Sequence, residues 1–268
     1  MNETFNEGKI DQLSWFDVKE LCEINNTVVI PVGSIENQGP HLPLGLDCIV
    51  LGEIIEKILK EEEVVVAPIM PFGYAKVHQG FPGTITLRPE VLHSVLVDVA
   101  SCLIKHGFRK LAFFNSHVGN GPIISQVCEV IRDNHEDVLC AVVPIWGVMP
   151  QAAPEVAKTL IPGHASDPNT SVMMYISPDL VKMERAIREE PKQLFRNFTT
   201  KAPAVYQFNG ATINIPLRTD EISKSGIWGD PTVATAEKGR GLVESLVKFL
   251  LQFIREFKEL EVPRRGVD

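Results

Sequence analysis

Short apolar runs alternate with amphipathic segments along the first half of this 268-residue chain. Thr27-Val28-Val29-Ile30, Val64-Val65-Val66-Ala67, Leu111-Ala112-Phe113-Phe114 and Val138 to Val143 lack polar alternation, so each predicts a strand buried on both faces. Between them, Ile49, Leu51, Ile54, Ile55, Ile58 and Leu59 fall on one helical face. A second helix is predicted from Pro89 through Leu92, Val95, Leu96, Val99 and Leu103, stopping at Gly107. A third begins near Gly121-Pro122. The last opens at Asp230-Pro231, with Asp230 as N-cap, and runs to about Leu260. Strands alternating with helices predict an α/β fold with a parallel or mixed sheet covered on its faces. Residues 149–168 and 191–229, richer in Pro, Gly and polar residues, predict loops and irregular β structure over one end of the sheet.

Neither an internal repeat nor a domain-parting linker interrupts this pattern, so residues 1–268 are expected to form one domain, with a core from about 20 to 260 and a disordered tail at 261–268. A chain that is 44% hydrophobic can build a sizeable core. The net charge of −8, with no basic cluster beyond Arg264-Arg265, argues against nucleic acid or an anionic membrane as partner and leaves a small molecule or a protein. Acids and amides at positions 1–17 do not resemble a secretory leader. Five widely spaced cysteines suit reduced core thiols, and a cytoplasmic location is expected.

In an open α/β sheet, ligands collect at the carboxyl ends of strands. Three loops meet that condition: Pro31 to Asp47, Asn115 to Gly121, and Pro162 to Ser171. Glu36, Asp47 and His117 offer two carboxylates and one imidazole, a set suited to Zn²⁺, Mn²⁺ or Fe²⁺ with positions left for water and substrate. Blander roles compete: Asp47 can cap the helix that follows it, Glu36 can be solvated, and His117 and His164 can hold their loops. Ser34, Ser116 and Ser171 lie outside any G-x-S-x-G elbow, and neither a P-loop nor a G-x-G-x-x-G fingerprint is present.

Gly33-Ser34-x-Glu36-x-Gln38-Gly39-Pro40-His41-Leu42-Pro43 followed by Asp47 resembles the opening signature of the creatininase (creatinine amidohydrolase) superfamily. His78-x-x-Phe81-Pro82-Gly83-Thr84, Asn115-x-His117-x-Gly119-Asn120, His164-Ala165 with Thr170-Ser171, and Gly229-Asp230-Pro231 with Ala236-Glu237-Lys238-Gly239 are similar to its later motifs, in order. The resemblance implies a single-domain three-layer sandwich with a mostly parallel sheet, a metal-dependent hydrolase of the amidohydrolase type, and a homohexamer. It assigns Glu36, Asp47 and His117 to the first metal and His164 to a place near the substrate, where it is expected to shuttle protons beside Glu36.

The chain also departs from that pattern. Gln38 stands where most relatives place a second-metal histidine, and Gly119, Asp167 and Asn169 occupy places where relatives offer second-site carboxylates. Glutamine and asparagine are neutral, weak ligands, so one tightly held Zn or Mn ion, or Fe, is expected per chain. Gln38, Asp167 and Asn169 remain candidates for a weak second site or for substrate contacts. Trp146 and Trp228 are candidate pocket walls, whereas His41 and His78 are expected to brace loops. The leading expectation is hydrolysis of a C–N bond in a cyclic amide or formamide-like compound. The alternatives are ring-opening C–C hydrolysis of a cyclic diketone of the 3-dehydro-scyllo-inosose type, and a non-catalytic relative with a degenerate metal site.

Overall fold

The computed structural model describes residues 8–202 and 204–263. Its centre is a four-stranded parallel sheet of β1 (Thr27–Val32), β2 (Val65–Val66), β3 (Lys110–Asn115) and β4 (Leu139–Pro144), in the order β2-β1-β3-β4. Every residue of β1 and β3 is buried, which explains why the sequence shows continuous apolar runs there. Successive side chains point to opposite faces of a strand. Val28, Ile30, Leu111 and Phe113 therefore join one core, while Val29, Ala112 and Phe114 join the other.

Helices α3 (Pro89–Lys105) and α4 (Gly121–Asn134) cover the first face. Helices α2 (Leu46–Leu59), α7 (Asp167–Ile176) and α9 (Ala236–Glu259) cover the second. The result is a three-layer α/β sandwich. Helix α1 (Trp15–Ile24), which no clear apolar periodicity announces, leads into β1 and is opened by a Ser14/Asp17 capping box.

The stretch after β4 holds more order than its composition announced. It contains α5 (Ile145–Ala152), α6 (Pro154–Ala157) and a separate antiparallel sheet of β5 (Thr199–Ala202), β6 (Val205–Phe208) and β7 (Ala211–Asn214), followed by α8 (Thr219–Ile222). The last helix starts later than expected. Asp230 caps only the short turn Pro231–Val233, through Thr232 N–H, and the Thr235 side chain caps α9 by accepting from Lys238 N–H. Asp47 is no cap either: Gly45 holds that position, and Asp47 lies inside the first turn of α2. Residues 261–263 carry no regular structure, and the rest of the tail, 264–268, lies outside the described residues.

The chain runs from β1 to β2 on one side, then crosses to β3 on the other. Connections leaving β1 and β3 in opposite directions open a crevice beyond their carboxyl ends. Glu36 follows β1 and His117 follows β3, so the two most separated of the candidate loops in this half of the chain converge there.

Candidate metal centre

His117 Nδ1 lies 2.6 Å from Glu36 Oε2 and 3.9 Å from Asp47 Oδ2. One ligand atom from each of these three buried residues falls within 4.8 Å of the others. The His117 ring is oriented from behind, because its Nε2–H donates to Tyr74 O at 3.0 Å. That bond leaves Nδ1 facing the carboxylates, the orientation a metal-bound imidazole needs once its proton is displaced. Ser34 Oγ donates to Glu36 Oε2 at 2.8 Å, and Trp146 Nε1–H donates to Asp47 Oδ1 at 3.1 Å.

Asp47 Oδ2 is buried without any hydrogen-bond partner. Burial first, and the Glu36 carboxylate second, push the Asp47 carboxyl well above the usual carboxylate range. Burial also works against charge on Glu36 and His117, but their mutual attraction overcomes it, holding Glu36 at about 2 and raising His117 to about 9. A proton thus sits between His117 and Glu36, and Asp47 is left wanting a cation. A divalent ion fits this donor set: it would take the place of that proton and give Asp47 Oδ2 its missing partner.

Beside this triad, His78 Nε2 lies 3.7 Å from Glu36 Oε1. The His78 ring stacks on His164 at 4.3 Å between centroids, and His164 stacks on Trp228 at 4.7 Å. His78 holds loops together as expected, its Nδ1 pairing with Thr219 Oγ1 at 3.1 Å, and it also faces the cavity, where its Nε2 falls into a second three-residue group with Glu36 and His164. The motif containing His78 was visible in the sequence, but nothing local showed that its ring would meet Glu36, 42 positions earlier. Burial lowers the pKa of His78 to about 3 and lowers that of His164 as well, so both rings are neutral bases at neutral pH. His164 Nε2–H donates to Asn37 O at 2.7 Å. Ala165, at φ +50°, turns the chain just after His164, held by paired backbone bonds between His164 and Trp228.

Gln38 Nε2 donates to Glu36 Oε1 at 3.3 Å, while its buried Oε1 has no partner. Asn169 also lines the cavity with a buried, unpartnered Oδ1. Asp167 is placed elsewhere: it is fully buried, accepts from Ser171 Oγ and Ile161 N–H, and pairs with Lys238 Nζ at 2.8 Å. His41 pairs with Thr170 Oγ1 outside the cavity wall. Position 119 is closed to any side chain, because a Cβ there would stand 2.4 Å from Tyr74 O and 2.5 Å from His117 Nε2. Trp146 and Trp228 both line the cavity, which has a volume of about 520 Å³.

The family described as creatinine amidohydrolase matches residues 11–254. The chain is 29% identical to a mycofactocin precursor peptide peptidase of Mycolicibacterium smegmatis, over 85% of this chain and 84% of that protein. It is 26% identical to a 3-dehydro-scyllo-inosose hydrolase of Thermotoga maritima, over 90% and 81%. Among solved structures, a mutant creatininase in a Zn-Zn form superposes with a TM-score of 0.79 at 22% identity, covering 95% of this chain and 99% of that one.

Proposed function

The chain belongs to the creatininase family of hydrolases, and from that premise we propose that it cleaves a C–N bond of an amide with water, using one divalent cation held by Glu36, Asp47 and His117. The observation that carries this reading is the orphaned Asp47 Oδ2 beside a carboxylate and an oriented imidazole. Zn²⁺ or Mn²⁺ suits the mixed oxygen and nitrogen set, with Fe²⁺ chemically admissible. When bound, the cation lowers the pKa of a water toward ~7 and polarises a carbonyl.

The protein's own groups supply the rest. His164 is a neutral base whose ring is fixed by Asn37 O and by stacking on His78 and Trp228. It accepts a proton from the attacking water and returns it to the departing nitrogen. Glu36 anchors the corner with both oxygens engaged, by Ser34 and His117 on one side and Gln38 on the other. Water attack forms the C–O bond, the C–N bond breaks, and the amine leaves with the proton carried by His164.

The single-ion stoichiometry rests on two features. Gln38 directs its amide nitrogen at Glu36, and a Cβ at Gly119, where the resemblance places a second-site carboxylate in relatives, would meet Tyr74 O at 2.4 Å. Two tightly held ions per chain, measured by plasma mass spectrometry after gel filtration, would overturn it. His164→Ala is expected to cut kcat by about 10²-fold or more at unchanged metal content; full turnover in that variant would remove His164 from the reaction. Assembly as a homohexamer in the cytoplasm is proposed from the family resemblance. The exposed Trp15 and Phe16 on α1 support a subunit contact, which sedimentation would test.

A further inference from the structure

All five cysteines are free thiols, but their surroundings differ. Cys102 is exposed, and the half-buried Cys22 donates its S–H to His106 O at 3.3 Å. Cys128 and Cys140 are also half-buried, and here the fold brings two sulfurs together. They stand twelve positions apart, one on α4 and one on β4, the helix and strand joined by the short connection from His135 to Val138.

Chain geometry dictates the meeting. Cys128 follows Ile124 by four residues and precedes Ile131 by three, so it shares the face of α4 that packs on the sheet. Along β4, alternation turns Leu139, Ala141 and Val143 to one core and turns Cys140 and Val142 to the other, the core that α4 covers. The Cys140 thiol hydrogen-bonds the Cys128 sulfur, and Arg132, one turn beyond Cys128, brings a positive charge to the pair. That bond first, and burial second, push the Cys140 thiol far above its usual range. Cys140 therefore keeps its proton and supports negative charge on Cys128, the sulfur left to react. Packing alone would be served by alanine or valine, which stand at the adjacent positions 141 and 142; two sulfurs in contact offer a chemistry those residues lack.

We infer that Cys128 and Cys140 form a reversible dithiol–disulfide site, oxidised by small disulfides of the glutathione type, which joins α4 covalently to the edge strand β4. The Cys128 sulfur, as thiolate, attacks one sulfur of the small disulfide; a new S–S bond forms, the old one breaks, and the departing small thiolate takes up the proton that Cys128 gave to water. Cys140 then loses its proton, and its sulfur attacks the Cys128 sulfur and displaces the second small thiolate, which is protonated in turn. Two protein thiols are oxidised and one small disulfide is reduced to two thiols. The bond fixes the helix that starts at Gly121, directly after Asn120, whose side chain accepts from Tyr74 N–H and donates to Gly33 O. It thereby reaches the loops of the metal corner without touching a metal ligand.

The test treats the metal-loaded full chain with glutathione disulfide, traps the remaining thiols with iodoacetamide and maps the peptides by mass spectrometry. The expected product is a linked Cys128–Cys140 peptide, two hydrogen atoms lighter than its reduced form and restored to two thiols by dithiothreitol. Because the second step joins sulfurs already in contact, both thiols should disappear at least about 10-fold faster than Cys22. In Cys140→Ser the glutathione adduct on Cys128 should persist, since nothing is left to displace it. Separate glutathione adducts on Cys128 and Cys140, or no link at a dose that modifies the exposed Cys102, would overturn the site, and both are read on the unmutated chain.

Discussion

Asp47 and Asp167 are the same residue in almost the same degree of burial, yet the chain treats them in opposite ways. Asp167, at the start of α7, receives Lys238 Nζ, Ser171 Oγ and Ile161 N–H, so the folded protein completes its carboxylate. Asp47, in the first turn of α2, receives only Trp146 Nε1–H, keeps one oxygen unpartnered, and shares its surroundings with another carboxylate. A buried charge that the protein has neutralised is structural. One that it has left incomplete, in a cavity, is a place prepared for something from outside.

The largest expected effect separates the two directly. Asp47→Asn should lower kcat/KM by about 10³-fold or more, because loss of several kcal/mol of transition-state stabilisation corresponds to that factor; Asp167→Asn should leave it within a few-fold. Comparable losses in both variants would erase the distinction. Next in size is the response to metal. Adding Zn²⁺ or Mn²⁺ at roughly 1,000 times its Kd should stabilise the native protein by about 4 kcal/mol, read as a rise in Tm, and should leave Asp47→Asn unmoved.

Lys238→Met should destabilise the fold by about 3 kcal/mol, since removing one partner of a buried pair strands the other. Chemical denaturation measures that loss, and metal content should not change. A cost near zero would mean that Asp167 is satisfied without Lys238, and the contrast with Asp47 would weaken. The smallest effect concerns a neighbour of α7. Burial pushes His41 down to about 4 from 6.5, so it folds neutral. Its contribution is present above pH 6.5 and lost as pH falls from there toward 4. His41→Gln should flatten the fall in Tm over that window.

The contrast also marks where the sequence could be read. Glu36, Asp47 and His117 were recoverable because each sits a few residues beyond a buried strand or at the mouth of the helix that follows, positions that apolar runs reveal. The resemblance of motifs then added His164. The bracing role of His78 is legible, but its meeting with Glu36 and its stacking on His164, 86 positions away, are not, and Asp167 is ambiguous in sequence because Lys238 reaches it from 71 positions on. Helix α5 is hidden by Pro, Gly and polar residues, and the β5-β6-β7 sheet is legible only as irregular β structure within 191–229, because its strand bounds and pairing are settled by tertiary packing more than by periodicity.

By itself, then, the sequence determined the alternation of strands and helices, the parallel sheet and the loops that carry the acids and imidazoles, because those follow from local periodicity and chain direction. Tertiary structure alone decided which of those groups are completed by the protein and which are left open. That outcome depends on partners brought from across the chain into a buried space, where one missing hydrogen bond or counter-charge changes a residue from scaffold into site.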